Sequence, residues 1–183
     1  MLPFTPKTED VVTFWQEAGR RGDWFAQRPA FDRIFHDRFL ALHEHVAAED
    51  PEGWIRTPEG ALALIILLDQ FPRNAFRGTA RMYATDSQAR AFAREAEARG
   101  HAADVDPELR LFFALPFSHS EDLADQEVAL RLNRRLGQPW LSHAEGHHEI
   151  IRRFGRFPHR NRILKRETHP DEARFLKNGG FRG

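Results

Sequence analysis

The chain has 183 residues, 41% of them hydrophobic, with 12 Gly and 11 Pro, which is enough for one well-filled core and short for two, so a single domain over 1–183 is expected. It has no Cys, which excludes disulfides and thiolate metal sites, and its longest apolar run, Ala61 to Leu68, falls far short of the roughly 20 residues that span a bilayer. The formal net charge is zero, but residues 131–183 carry 13 Lys/Arg against 5 Asp/Glu; this basic third either packs against the acidic remainder or faces phosphate.

Apolar residues recur at helical spacing nearly throughout and strand-like alternation is missing, so the expected class is all-α. The first helix is predicted from Thr8 to about Gly19, burying Val11, Val12, Phe14, Trp15 and Ala18. Trp24 and Phe25 should anchor the connection to a second helix, Pro29 to Ala48, with Phe31, Ile34, Phe35, Phe39, Leu42 and Val46 as its apolar stripe. A third begins with Thr57 as N-cap and Pro58 in the first turn, then enters eight consecutive apolar residues, which makes it central. Further helices are predicted over Asp86–Arg99, Pro107–Leu115 capped by Asp106, Ser120–Leu136, and Ser142–Phe154. A short turn follows Pro158, and a last helix runs from Thr168 as cap to about Lys177. About eight helices with short connections imply antiparallel pairs. The segment Met1 to Lys7 lacks a basic stretch followed by an apolar one, consistent with a cytoplasmic protein that has no membrane partner.

Several residues break this pattern. Asp69 follows the apolar run at the carboxyl end of a helix, where the dipole disfavours negative charge, so it needs a cation. Arg73 and Arg77 are close enough to serve, with Pro72 ending or kinking the helix between them. Either the pair is purely structural, or Asp69 holds an Arg aimed at an anion. On the Ser120 helix, Glu121 and Asp125 share a face with Ala124, Val128, Ala129, Leu132 and Leu136. Glu121 can answer the helix dipole, whereas Asp125 lies deeper and needs a cation, donors or a metal. On the Ser142 helix, His143 and His147 fall on the stripe of Ile150, Ile151 and Phe154, while His148 and Glu149 point to solvent. That spacing suits either a metal pair or satisfied core histidines. In the run Phe154–Asn161, Gly155 and Pro158 would project Arg156, His159, Arg160 and Asn161 as donors, forming either an anion cradle or caps and partners for Asp69, Glu121 or Asp125.

The motifs LLDQFPRNAFRG (67–78), YATD (83–86), FSHSEDLADQE (117–127) and FGRFPHRN (154–161) together resemble the bacterial family catalogued as domain of unknown function 924. The resemblance covers nearly the whole chain, from Phe14-Trp15 to the Thr168 segment. It implies an all-helical, tetratricopeptide-like fold and brings no activity with it. His147 looks like the His that precedes the last of these motifs in the family.

These observations lead to a helical protein that binds a small anionic molecule or an acidic peptide in a polar pocket. Its candidate residues are Asp69, Arg73, Arg77, His119, Asp125, His147, Arg156, His159, Arg160 and Asn161, with the arginines pairing the anion and the acids orienting them. No cofactor or metal is called for by that reading. A rival takes Glu121, Asp125 and His147 as ligands of a divalent metal that activates water for hydrolysis. A third reading makes the polar runs structural and puts function on a protein-binding groove. Nucleic acid is disfavoured, since the basic residues are not interleaved with stacking aromatics.

Overall fold

The computed structural model describes residues 7–49 and 53–183, and every described element is helical or a turn. Residues 1–6, on which most of the reading of the N-terminal segment rests, lie outside these. No helix among the described residues is long and apolar enough to cross a membrane. The fold comprises α1 (Thr8–Arg20), α2 (Pro29–Ala48), α3 (Pro58–Ile65), α4 (Phe71–Ala75), α5 (Asp86–Arg99), α6 (Leu111–Ser118), α7 (Leu123–Leu136), α8 (Trp140–Phe154) and α9 (Pro170–Lys177). Two compact units are formed: the described part of Met1–Arg77 with Arg81–Pro116, and Gly78–Ala80 with Phe117–Gly183.

In the first unit, α3 is the centre, as its uniform apolarity requires: every side chain from Ala61 to Leu68 is fully buried. Thr57 caps it, accepting from the Gly60 N–H at 3.1 Å. Gly60 is there because a Cβ would lie 2.0 Å from the Trp54 carbonyl oxygen. Phe14, Trp15, Phe31, Phe35, Phe39, Phe71 and Phe112 fill the space around it as a lattice of rings, with Phe35 edge-on to Phe71 at 5.1 Å and Trp15 edge-on to Phe112 at 5.3 Å. Trp24 lies over α1 at Gly19, where a Cβ would meet its indole, and its Nε1 donates to the Trp15 carbonyl at 2.7 Å. Two expected anchors are different: Ile34 is 57% exposed and Phe25 58% exposed. The wide stripe assigned to α2 overshoots at Ile34, because the ring lattice on one side of α2 already satisfies the helix.

In the second unit, α7 and α8 pack along their length as a hairpin joined through Gly137–Pro139. The cap of α7 is Asp122, not Ser120, accepting from the Ala124 N–H at 2.7 Å. Its buried face is correspondingly rotated: Asp125, Gln126, Ala129, Leu130 and Asn133 are inside, and Ala124 is exposed. Gly155, in the left-handed region at φ 68°, ends α8. Ile150, Ile151 and Phe157 form a small core against which Phe154 and Phe175 pack. The last helix starts after His169, whose N–H donates to Glu172 Oε2 at 2.8 Å, so Thr168 is not its cap. Asp106 takes the N-cap position as expected, through its carbonyl and without a side-chain capping bond; the Pro107 region is a single 3-10 turn, Pro107–Leu109, followed by α6.

Candidate functional site

The polar run of the first unit is built around a widened helical turn. Ile66–Gln70 forms a π-turn between α3 and α4, in which the Phe71 N–H reaches back to the Ile66 carbonyl. Helical structure therefore continues past Pro72 into α4; the wider turn makes room for its ring and for its missing N–H. The carbonyls released by this geometry are taken by side chains. His43 Nδ1 meets the Leu67 carbonyl at 2.9 Å, Thr85 Oγ1 donates to Leu68 at 2.6 Å, Arg73 to Asp69 at 2.8 Å and Asn74 to Gln70 at 2.8 Å. Burial holds the His43 pKa below its ordinary value, so the ring is neutral and its Nδ1–H serves as donor.

Asp69 is fully buried, with Arg73 Nη1 at 3.1 Å and Gln70 Nε2 at 2.6 Å. The same guanidinium forks onto Asp86, at 2.8 and 3.0 Å. Burial works against the Arg73 charge, but Asp69 and Asp86 outweigh it and raise its pKa. Arg77, expected beside Asp69, instead grips Asp32 at 2.9 and 3.1 Å and Asn74 at 3.1 Å. Of the two readings of this run, the structure displays the ion-paired one: Arg73 bridges two carboxylates and Arg77 a third.

The second unit holds two ion-pair knots. Arg156 forks onto Glu172 at 2.6 and 2.8 Å and donates to the Glu167 carbonyl at 2.7 Å. Asn161 Nδ2 meets Glu172 Oε2 at 3.1 Å, while its Oδ1 accepts from Arg166 Nε at 3.0 Å. The Arg156 hydrogen bonds come first in holding the Glu172 carboxyl down at about 2, with the His169 N–H adding to them against the effect of burial. In the other knot, Arg166 forks onto Glu121 at 2.6 and 3.0 Å, and Glu121 accepts from the Phe157 N–H at 2.8 Å. Burial disfavours the Glu121 charge, yet Arg166 and the Phe157 N–H lower its pKa. Asp125 is buried and accepts from Ser120 Oγ at 2.7 Å.

Between these knots lies a cluster of different character. Arg160 is buried, donates to the His119 carbonyl at 2.9 Å and sits over the Phe157 ring at 4.6 Å. His147 packs edge-on to the same ring at 5.4 Å, and His159 lies 5.6 Å from it. The Nδ1 atoms of both histidines are buried and have no hydrogen-bond partner. Burial, with the electrostatic influence of His119 and Arg160, pushes the His147 pKa down to about 3; burial and the Arg160 charge push His159 down to about 4. Both rings are neutral at pH 7. His147 also makes a hydrogen bond with the Ser118 main chain that favours its protonated form. With Nδ1 unpartnered, Nε2 carries that proton to the carbonyl, and Nδ1 presents a bare lone pair.

The ten residues singled out by sequence therefore fall into networks of separate units. Asp69, Arg73 and Arg77 belong to the first; His119, Asp125, His147, Arg156, His159, Arg160 and Asn161 belong to the second. Within the second, Arg156 and Asn161 serve Glu172, and His119, His147, His159 and Arg160 make the cluster. The trio Glu121, Asp125 and His147 does not form a ligand set: Glu121 is engaged by Arg166 and Phe157, and no group of three or more His, Asp or Glu among the described residues could hold a metal ion. The two histidines of α8 differ in burial: His143 is exposed and His147 is half-buried. His148, expected in solvent, is mostly covered and meets Glu127 at 2.7 Å. Sequence reasoning missed Asp32, Asp86, Arg166 and Glu172 as partners of the arginines and of Glu121. The available signal for Asp86 was its place in YATD, whose Thr85 and Asp86 both serve the π-turn.

A family model described as bacterial protein of unknown function (DUF924) matches residues 11–180. A solved structure of a protein of unknown function from Agrobacterium tumefaciens is 55% identical to this chain, covers 94% of it and 97% of its own length, and superposes with a TM-score of 0.91. No curated protein matches the chain.

Proposed function

This chain belongs to the family described as bacterial protein of unknown function (DUF924), and from that premise we propose that its second unit binds a small anionic molecule at His119, His147, His159 and Arg160. The observation that carries this reading is the pair of buried histidine Nδ1 atoms with no partner, set in the field of Arg160. A buried polar nitrogen left unsatisfied costs about 1–3 kcal/mol. An anionic guest would pair with the buried guanidinium, and a proton taken up with it would give these nitrogens a partner. A phosphate or carboxylate there offsets the positive field that adds to burial in holding both histidines neutral. His147 Nδ1 can then take up a proton and turn from lone pair to donor. Binding by this route is coupled to proton uptake.

The same reading covers an acidic peptide whose carboxylate reaches the cluster. We read the helix pairs as tetratricopeptide-like, supported by the α7–α8 hairpin, and the protein as cytoplasmic, in keeping with its lack of Cys. Titration calorimetry with inorganic phosphate, phosphorylated metabolites and acidic peptides tests the site. It is run near pH 6 in two buffers of different ionisation heat. The expected result is binding with net proton uptake that is lost in Arg160→Gln and loses its proton uptake in His147→Phe. Binding that ignores both substitutions would place the guest elsewhere.

A further inference from the structure

The His147–His159 cluster already has an occupant from its own chain. Phe181 lies on the His147 ring at 4.7 Å and is edge-on to His159 at 5.1 Å, with Phe157 at 6.3 Å. Its position follows from what precedes it. Gly179, at φ 83°, turns the chain after α9, and Gly180 lies so close to the Phe175 ring that a Cβ there would be 2.6 Å from it. Arg182 then donates to the Leu176 carbonyl at 2.8 Å, and Gly183 rests against His159, 3.1 Å from where its Cβ would be. Phe181 is nonetheless 41% exposed, one of the few large apolar side chains on the surface.

The ring contacts of Phe181 are with two imidazoles and Phe157. That is the geometry of ring recognition: three flat groups tilted around a fourth, each pair favouring offset or edge contact. The same two histidines carry the unpartnered Nδ1 atoms, and Arg160 stands against Phe157 beneath them. Ring-holding and anion-holding groups are therefore the same residues. Resting on the anion-binding reading above, we propose that the ligand is an arene-bearing anion, such as an aryl carboxylate, and that Phe181 is a built-in competitor for the place of its ring. A guest that supplies both the ring and the negative charge replaces what Phe181 provides and adds what it lacks.

Calorimetry with phenylacetate, cyclohexylacetate and acetate tests this on the wild-type chain, Phe181→Ala and Phe181→Leu. Phenylacetate is expected to bind more tightly than cyclohexylacetate and acetate. Phe181→Ala should tighten phenylacetate about fivefold, the worth of one aromatic contact, and leave acetate within twofold. Phe181→Leu, which keeps apolar bulk over the histidines, should fall between. Equal gains for cyclohexylacetate, or no response to either substitution, would overturn the proposal. If acetate and phosphate bind through Arg160 while the ring adds nothing, this inference fails and the anion reading stands; if no anion binds at all, both fail.

Discussion

The runs Leu67–Gly78 and Phe154–Asn161 share Phe-Pro followed by Arg and Asn, yet their polar groups are satisfied in different ways. In the first, the arginines bridge carboxylates: Arg73 joins Asp69 and Asp86, and Arg77 holds Asp32. In the second, Arg156 is matched by Glu172, while Arg160 donates to the His119 carbonyl, lies over the Phe157 ring and, after burial, helps to keep His147 and His159 neutral. The first run folds beside an Asp-bearing helix start at Asp86, whereas the second lies in a C-terminal third with 5 acids against 13 Lys/Arg. The same residue types therefore build a carboxylate-bridged knot in one place and, in the other, a cluster in which two buried histidine nitrogens have no partner.

The largest way to break the comparison is Arg73→Ala. It strands Asp69 and Asp86 with their charges buried, and urea denaturation should show a loss of about 3–5 kcal/mol. Acid should sharpen it from the other side. His147 and His159 have folded pKa values near 3 and 4, below the ordinary 6.5, so the unfolded chain binds more protons than the folded one between those limits. Their contribution is fully present above pH 6.5 and is lost as pH falls toward the folded values, at up to about 1.4 kcal/mol per ring per pH unit. Denaturation at several pH values between 6.5 and 4 should give that slope, and His147→Phe with His159→Phe should flatten it. Glu172, whose pKa is depressed to about 2, loses its contribution lower, as pH falls from the ordinary carboxylate range through about 2.

Next in size is Thr85→Val, which leaves the Leu68 carbonyl without its donor inside the first unit. A loss of about 1–3 kcal/mol in thermal or urea unfolding is expected. The smallest effect belongs to Arg77→Ala. Its pair with Asp32 is part-exposed, so no more than about 1 kcal/mol should be lost. If Arg77→Ala cost as much as Arg73→Ala, the first run could not be described as a buried knot with a rim.

Much of the helical frame was legible in the sequence. Periodicity and Thr57 placed α1, α2, the start of α3, α5 and the end of α7 nearly to the residue, because those signals are local. What was not legible depended on residues distant in the chain. Ile34 fits the α2 stripe and is exposed, since burial depends on which neighbours arrive. Asp69 announced that it needed a cation, and Arg73 was named correctly, but the second carboxylate, Asp86, comes from a different helix. The π-turn was hidden because Pro72 reads locally as a stop, and only His43 and Thr85, supplied from elsewhere, let the chain continue through it. In the second unit, the donors of Phe154–Asn161 were visible, but their partition was not. Arg166 pairs with Glu121, and Glu172 with Arg156 and Asn161, all across distances in sequence that no local pattern reveals.

The widened turn at Ile66–Gln70 also makes chain length there a structural quantity. A π-turn is one residue longer than the α-turn it replaces. Deleting any one of those five residues would let α3 run on into α4 as an ordinary helix and swing everything after it by about 100° around the axis. Arg73 would then point away from Asp86. The first unit thus measures its own sequence at this point: a one-codon loss would unlock the knot even if Asp69 and Arg73 were both kept.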